Sequence, residues 1–284
     1  MLELTVPGST SMGLTRLGRG ATDTAAELGP LADLIGTWIG THGWELIAVP
    51  QGSEGFHLIV RPYVEVVTFE AIGAPVPNRG GPVPDLFIAG LLYQIRITDI
   101  QTNEPLHLEN GMWLNLGESQ EQPIARQASI PHGDVFLALG SASTASGPPE
   151  IPVTSALPDT GPLTKHLGYT DPYQTPVNGF HPDKPNQVLE EAIAGQDVVQ
   201  TTTLLLSTEN GGGIVNIPFV DQHANATQFT CTYWIETIKD ASTGDEVQQL
   251  QYSQQTNIEF LPKFGDEPGP IMWPHVNLNT LRKQ

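Results

Sequence analysis

The chain reads as all-β: a single antiparallel up-and-down β-barrel of about ten strands, with short capping helices and one long Pro/Gly-rich excursion. Three observations predict this. Long runs of β-branched, aromatic and alternating residues follow one another across most of the sequence, broken by Gly, Pro, Asn and Glu-rich turns. They succeed one another without helical crossovers, which favours antiparallel neighbours over a parallel sheet. The 284 residues, 39% of them hydrophobic, suffice for one large barrel with an internal cavity. A β-sandwich is the architectural rival.

Taken in order, residues 1–23 form a Gly, Ser and Thr-rich arm without sustained periodicity, and residues 24–284 form the barrel domain. Thr24 and Glu27 suggest a capping box ahead of Leu28, Leu31, Leu34 and Ile35 at near-helical spacing. Pro30 keeps this helix short, and its role is to plug one barrel end. Strands are expected at Thr37–Val49, Phe56–Ile72, Leu86–Ile100, Leu106–Leu116 and Ala125–Leu139. The span 141–195 is an insertion. Ser141 to Pro185 is dense in Pro, Gly, Ser and Thr and reads as an excursion or lid. A short helix follows, capped by Asn186 and closed by Gly195. Strands resume at Val198–Ser207, Gly213–Val220, Gln228–Lys239 and Val247–Leu261. In the last of these, Leu250, Tyr252, Thr256, Ile258 and Phe260 alternate with Gln251, Ser253, Asn257 and Glu259. A final extended segment starts at Pro274, which pushes Trp273 toward extended geometry and sets His275 at a strand entrance.

Composition narrows the function. A formal net charge of −19 with only 12 basic residues repels phosphate backbones and anionic lipid, so nucleic acid and membrane partners are not expected. The single cysteine, Cys231, excludes an internal disulfide and Cys-based metal clusters. No signal-peptide layout and no membrane-spanning apolar run occur, which points to a cytoplasmic protein. Triads, nucleophile elbows, phosphate loops and His-x-x-x-His zinc motifs are absent.

Four landmarks carry a resemblance. They are Leu31-Ala32-Asp33-Leu34-Ile35-Gly36-Thr37-Trp38-Ile39-Gly40, Pro105-Leu106-His107-Leu108-Glu109-Asn110-Gly111-Met112-Trp113, Ile130-Pro131-His132-Gly133 with Leu139-Gly140, and Trp273-Pro274-His275-Val276 through Leu281-Arg282-Lys283. In this order they resemble the nitrobindin-like, fatty-acid-binding-protein-like heme β-barrels, of which this chain looks like a larger branch. The resemblance implies a calycin-like barrel that binds heme b, with His275 as the iron ligand. It also implies reaction with small oxidants such as peroxide, nitric oxide or peroxynitrite; if the protein is an enzyme, it is peroxidase-like, as His132 and Arg126 suggest, or peroxynitrite isomerase-like. It does not extend to Ser141–Asn225, and where nitrobindins often carry a pocket histidine, this chain has Ala71.

Each candidate has a plainer counterpart. His275 shares its strand face with Asn277 and Asn279 while Val276 and Leu278 face the other way, so an apolar interior would turn His275 outward. The Pro274 junction could re-aim it. His132 and Arg126 form a peroxide-handling pair, one moving a proton and the other stabilising charge on oxygen, or else a turn histidine and an unrelated arginine. His107 and Glu109 lie on one strand face and suit a structural polar pair. Trp38 reads as core or pocket wall, and His42 reaches the pocket only if the first strand's parity allows. The alternative function is a non-enzymatic carrier of a lipid-like or aromatic molecule. Expected partners are a small-molecule ligand or oxidant; a homodimer is also compatible.

Overall fold

The computed structural model describes residues 21–51, 55–158, 171–177, 179–260 and 271–284, with side chains from Thr24 onward. Its elements in order are α1 (Ala21–Leu28), a 3₁₀ turn (Gly29–Leu34), β1 (Gly36–Gln51), β2 (Gly55–Ala71), β3 (Val76–Asn78), β4 (Leu86–Asp99), β5 (Pro105–Asn115), β6 (Ile124–Ile130) and β7 (Asp134–Ser146). They continue with a second 3₁₀ turn (Asp171–Gln174), α2 (Gln187–Ile193), β8 (Asp197–Ser207), β9 (Gly213–Asn216), α3 (Pro218–His223), β10 (Ala224–Lys239), β11 (Glu246–Phe260) and β12 (Ile271–Lys283). The expected arm lies outside the described residues.

Ten strands close a ring in the order β2-β1-β12-β11-β10-β8-β7-β6-β5-β4, and β4 pairs back onto β2. All pairings are antiparallel, which agrees with the expected barrel. Two short strands extend it: β3 along β4 and β9 along β7. The span expected as one strand at Ala125–Leu139 is a hairpin, because Gly133 turns at φ 107° and Pro131 withholds a donor from the ladder. β7 continues to Ser146, so the excursion begins later than the composition suggested. The Gly213–Val220 strand stops at Asn216, where Pro218 starts α3.

One end is plugged as expected. Leu28, Leu31 and Leu34 are buried in the inner core, and the indole of Trp38 donates to the Leu34 carbonyl at 2.7 Å. α1 starts at Ala21, so Thr24 lies within the helix rather than at its start.

The excursion adds a second core on the outside of the barrel. Ile151, Ala156, Phe180 and Leu189 pack against Leu46, Leu58, Trp234, Val276 and Leu278, which face away from the lumen. Phe180 stacks on Trp44 with ring centroids 4.4 Å apart. The Trp273 indole donates to the Ala156 carbonyl at 2.9 Å, and Gln251 Nε2 to the Leu189 carbonyl at 3.0 Å. Asn186 makes no side-chain cap on α2; its amide donates instead to the Pro152 carbonyl at 2.8 Å. β12 is therefore dry on both faces by different means, and its apolar set belongs to the outer core. That inverts the parity argument from sequence, since His275 lines the lumen cavity while Val276 and Leu278 point out.

β1 carries a bulge between Gly40 and Gly43, visible as a register shift against both β2 and β12. The extra residue switches the alternation, so Trp38 and Gly40 face inward before it and Gly43 and Glu45 after it. The two glycines open room in the wall: a Cβ at Gly40 would collide with Asn279, and one at Gly43 with the Tyr63 ring. Among the described residues no helix is long and apolar enough to cross a membrane.

Candidate functional site

At the end opposite the helical plug the lumen opens into a cavity of about 460 Å³. That is within the usual range of roughly 300–1,000 Å³ for small-molecule sites. Apolar side chains make much of its wall, with Ile47 and Ile59 on one side and Phe136 and Phe229 on the other. No residue of the described excursion lines it; the excursion braces the barrel from outside. A larger groove of about 880 Å³ lies elsewhere, between Gly195–Asp197, the β10–β11 turn and the C-terminal residues, and is lined by no histidine.

His275 stands on the cavity wall at the start of β12. The ladder fixes it opposite Thr256 of β11. Its Nε2 is buried without a hydrogen-bond partner, and the nearest acid oxygen, Glu45 Oε1, is 3.5 Å away. A buried ring nitrogen left unbonded costs free energy, so its orientation toward a cavity marks it as a ligand-facing atom. Burial alone would raise the Glu45 carboxyl, but the neighbouring His275 and Arg61 hold it below the usual range.

Across the mouth, four strands around the ring from β12, a polar wall faces His275. The rings of His107 on β5 and His132 in the β6–β7 turn stack with centroids 5.9 Å apart. His107 Nε2 lies 3.2 Å from Glu109 Oε2. Burial and the neighbouring His107 ring both disfavour a charge on His132, which titrates below an ordinary histidine. The pairing of His107 with Glu109 matches the expected polar pair, with the addition that both line the cavity.

Below this wall Arg126 is fully buried. Its Nη2 donates to Glu109 Oε1 at 2.7 Å, its Nε to the Tyr93 hydroxyl at 3.1 Å, and its Nη1 to Gln254 Oε1 at 3.1 Å. Its guanidinium carbon sits 5.3–5.5 Å from the ring centroids of Tyr93, Trp113, Phe136, Phe229 and Tyr233. Burial would raise the Glu109 carboxyl, yet Arg126 and His107 pull it down to about 2. His132 and Arg126 are thus linked through His107 and Glu109 rather than by contact.

Trp38 lies at the plugged end and His42 on the bulge, where it is exposed with its Nδ1 2.9 Å from Thr41 Oγ1; neither lines the cavity. The bulge explains His42, because it reverses the parity on which that reading depended. Glu45 and Arg61, which line the cavity, went unnoticed in the sequence, whereas Asn277 was placed there on the His275 face, and that face is the one turned to the cavity.

Among the described residues no three His, Cys, Asp or Glu side chains are arranged to hold a bare metal ion. Of the three histidines on the cavity wall, His107 and His132 stack on each other while His275 stands apart across the mouth, and one such isolated imidazole suits a metal that arrives within its own organic ring. The residues therefore fit a heme: one free nitrogen donor, apolar walls for the macrocycle, and Arg61 at the cavity edge for carboxylates.

A family model described as a THAP4-like, heme-binding beta-barrel domain matches residues 27–170, just over half of the chain. The matched span carries His107, Glu109, Arg126 and His132. Among solved structures, the crystal structure of Rv2717c from M. tuberculosis is similar, at 18% identity over 89% of this chain and 94% of that one, with a TM-score of 0.43. The search of curated proteins found no match.

Proposed function

Because the chain belongs to the THAP4-like family of heme-binding β-barrel domains, we propose that this barrel holds heme b in its lumen cavity with His275 Nε2 as the iron ligand. The observation that carries the reading is that buried nitrogen on the cavity wall, which faces Glu45 Oε1 at 3.5 Å without making a hydrogen bond. When bound, the heme supplies an iron centre for chemistry with peroxide, nitric oxide or peroxynitrite. The chain's own residues would do the rest. Ile47, Ile59, Phe136 and Phe229 would keep water from the bound group, and Arg61 would pair with its carboxylates. Its existing contact with Asp99, 3.5 Å away at the edge, orients that guanidinium. His132, held neutral by its surroundings, takes a proton from an incoming hydroperoxide at its ring nitrogen. His107 stacks on that imidazole and is itself fixed by Glu109. Arg126 acts at one remove, fixing the charge and position of Glu109.

Titration of purified protein with hemin, followed by absorption, tests this. Wild type is expected to give a saturable Soret shift at one equivalent, and His275→Ala to lose it while retaining the fold by circular dichroism. Equal spectra for the two would remove His275 as ligand. In the loaded protein, His132→Ala is expected to slow peroxide consumption by about 10²-fold or more, as loss of a general base does, with the spectrum unchanged; an unaltered rate would remove its role.

One observation favours a second reading. Glu45 Oε1 lies close enough to His275 Nε2 for an ion pair, as suits a carrier whose polar mouth orients an aromatic or lipid-like ligand without metal. A carrier that uses this pair would bind such probes in wild type, bind them more weakly in His275→Ala, and leave added hemin with the spectrum of the free molecule.

A further inference from the structure

Beside the cavity the lumen holds a row of aromatic side chains, none of which lines it. The ring of Trp113 meets Tyr233 edge-on with centroids 5.0 Å apart, and Tyr233 stacks on Tyr252 at 5.0 Å with planes 14° apart. The hydroxyls of Tyr252 and Tyr63 are 2.7 Å apart. All four residues are essentially inaccessible to solvent. They come from β5, β10, β11 and β2, so the row crosses the barrel from wall to wall. Tyr252 stands two residues from Gln254, and Tyr63 two from Arg61, both cavity residues. Two residues of strand rise put these two tyrosines about 7 Å along their strands from the cavity-lining residues.

The row ends on an acid. Tyr252 donates its hydroxyl proton to Glu65 Oε2 at 2.7 Å, and Asn279 Nδ2 donates to the same oxygen at 2.9 Å. The other oxygen, Oε1, is buried with no hydrogen-bond partner. Phenylalanines at 63 and 252 and an aliphatic residue at 65 would fill the same space without burying a carboxyl and two hydroxyls. Packing therefore accounts for the rings and leaves the polar ends unexplained.

We propose that this row is an electron-hole relay: a one-electron radical oxidant acting at the cavity draws an electron from it, and Tyr252 is its terminus. The balance is simple. The oxidant gains one electron, and Tyr252 loses that electron together with its O–H proton. The proton crosses the existing hydrogen bond to Glu65 Oε2, leaving a neutral phenoxyl beside a neutral carboxyl, and no atom is added or lost. Electrostatics sets the direction. Arg126 lies 5.4 Å from the Trp113 ring and 5.3 Å from the Tyr233 ring with its charge compensated by Glu109, so positive charge is not favoured at that end. Glu65 favours it at the other. Burial raises the Glu65 carboxyl to about 7, although its bonds from Asn279 and Tyr252 oppose this, so the protonated form is accessible near neutrality.

The test uses heme-free protein, so a failed hemin titration and a failed relay are told apart. An ultraviolet flash ionises tryptophan, and transient absorption follows the indolyl radical and any phenoxyl radical that replaces it. Wild type is expected to convert indolyl to phenoxyl; Tyr252→Phe should lower the phenoxyl yield several-fold. Glu65→Gln, which keeps an acceptor oxygen but cannot take the proton, should slow its growth several-fold. No phenoxyl in wild type, or an unchanged yield in Tyr252→Phe, overturns the proposal. If Tyr252→Phe does not fold, 3-fluorotyrosine at position 252 keeps the hydroxyl. The trapped radical should then show fluorine hyperfine splitting by electron paramagnetic resonance, and its absence overturns the assignment.

Discussion

Replacing Glu65 by glutamine is expected to stabilise the protein at neutral and alkaline pH and to do progressively less as pH falls. Burial raises the native carboxyl from 4.5 to about 7, even though Asn279 and Tyr252 donate to it. Between those two values the native state binds a proton that the unfolded chain releases. Stability therefore falls as pH rises through this window and levels off above about pH 7. A gap of about 2.5 pH units at 1.36 kcal/mol each corresponds to about 3 kcal/mol. Glutamine keeps an oxygen for the Tyr252 and Asn279 donors but has no proton to lose. The difference in unfolding free energy between Glu65→Gln and wild type should thus grow by about 3 kcal/mol from pH 4.5 to pH 8. Urea unfolding at a series of pH values, followed by tryptophan fluorescence, measures it. Glu236, also raised to about 7 by burial, is present in both proteins and cancels in the difference. A difference that stays flat across this range would refute the claim that Glu65 is held against its own ionisation.

Two further outcomes follow from the packing. Arg126→Met strips the buried Glu109 carboxylate of its ion-pair partner and should destabilise the barrel by about 3–5 kcal/mol. Adding Glu109→Gln should recover a large part of that loss, which a urea double-mutant cycle reads directly. Phe180→Ala removes a ring stacked on Trp44 in the outer core and should cost about 3–5 kcal/mol in the same assay. Hemin affinity should stay unchanged, because the excursion braces the wall and leaves the mouth alone; a loss of affinity would make the excursion part of the site.

Much of this molecule was legible in the order of its residues. Period-two alternation and turn residues specify strands locally, and strands in unbroken succession leave little besides antiparallel neighbours, so the barrel was readable before any coordinates. The His107–Glu109 pair was legible for the same reason, since residues two apart on a strand share a face. What alternation cannot supply is which face is inside. On β12 the apolar residues Val276 and Leu278 point outward because the distant excursion covers them, and His275 looks into the lumen as a result. On β1 one extra residue between Gly40 and Gly43 turns His42 to solvent and Glu45 to the cavity. Neither the cover nor the bulge leaves a local trace in sequence, because each depends on chain that pairs or packs from far away. The burial of Glu65 and Arg126 is likewise a property of the closed ring, where strands far apart in sequence converge to remove them from water.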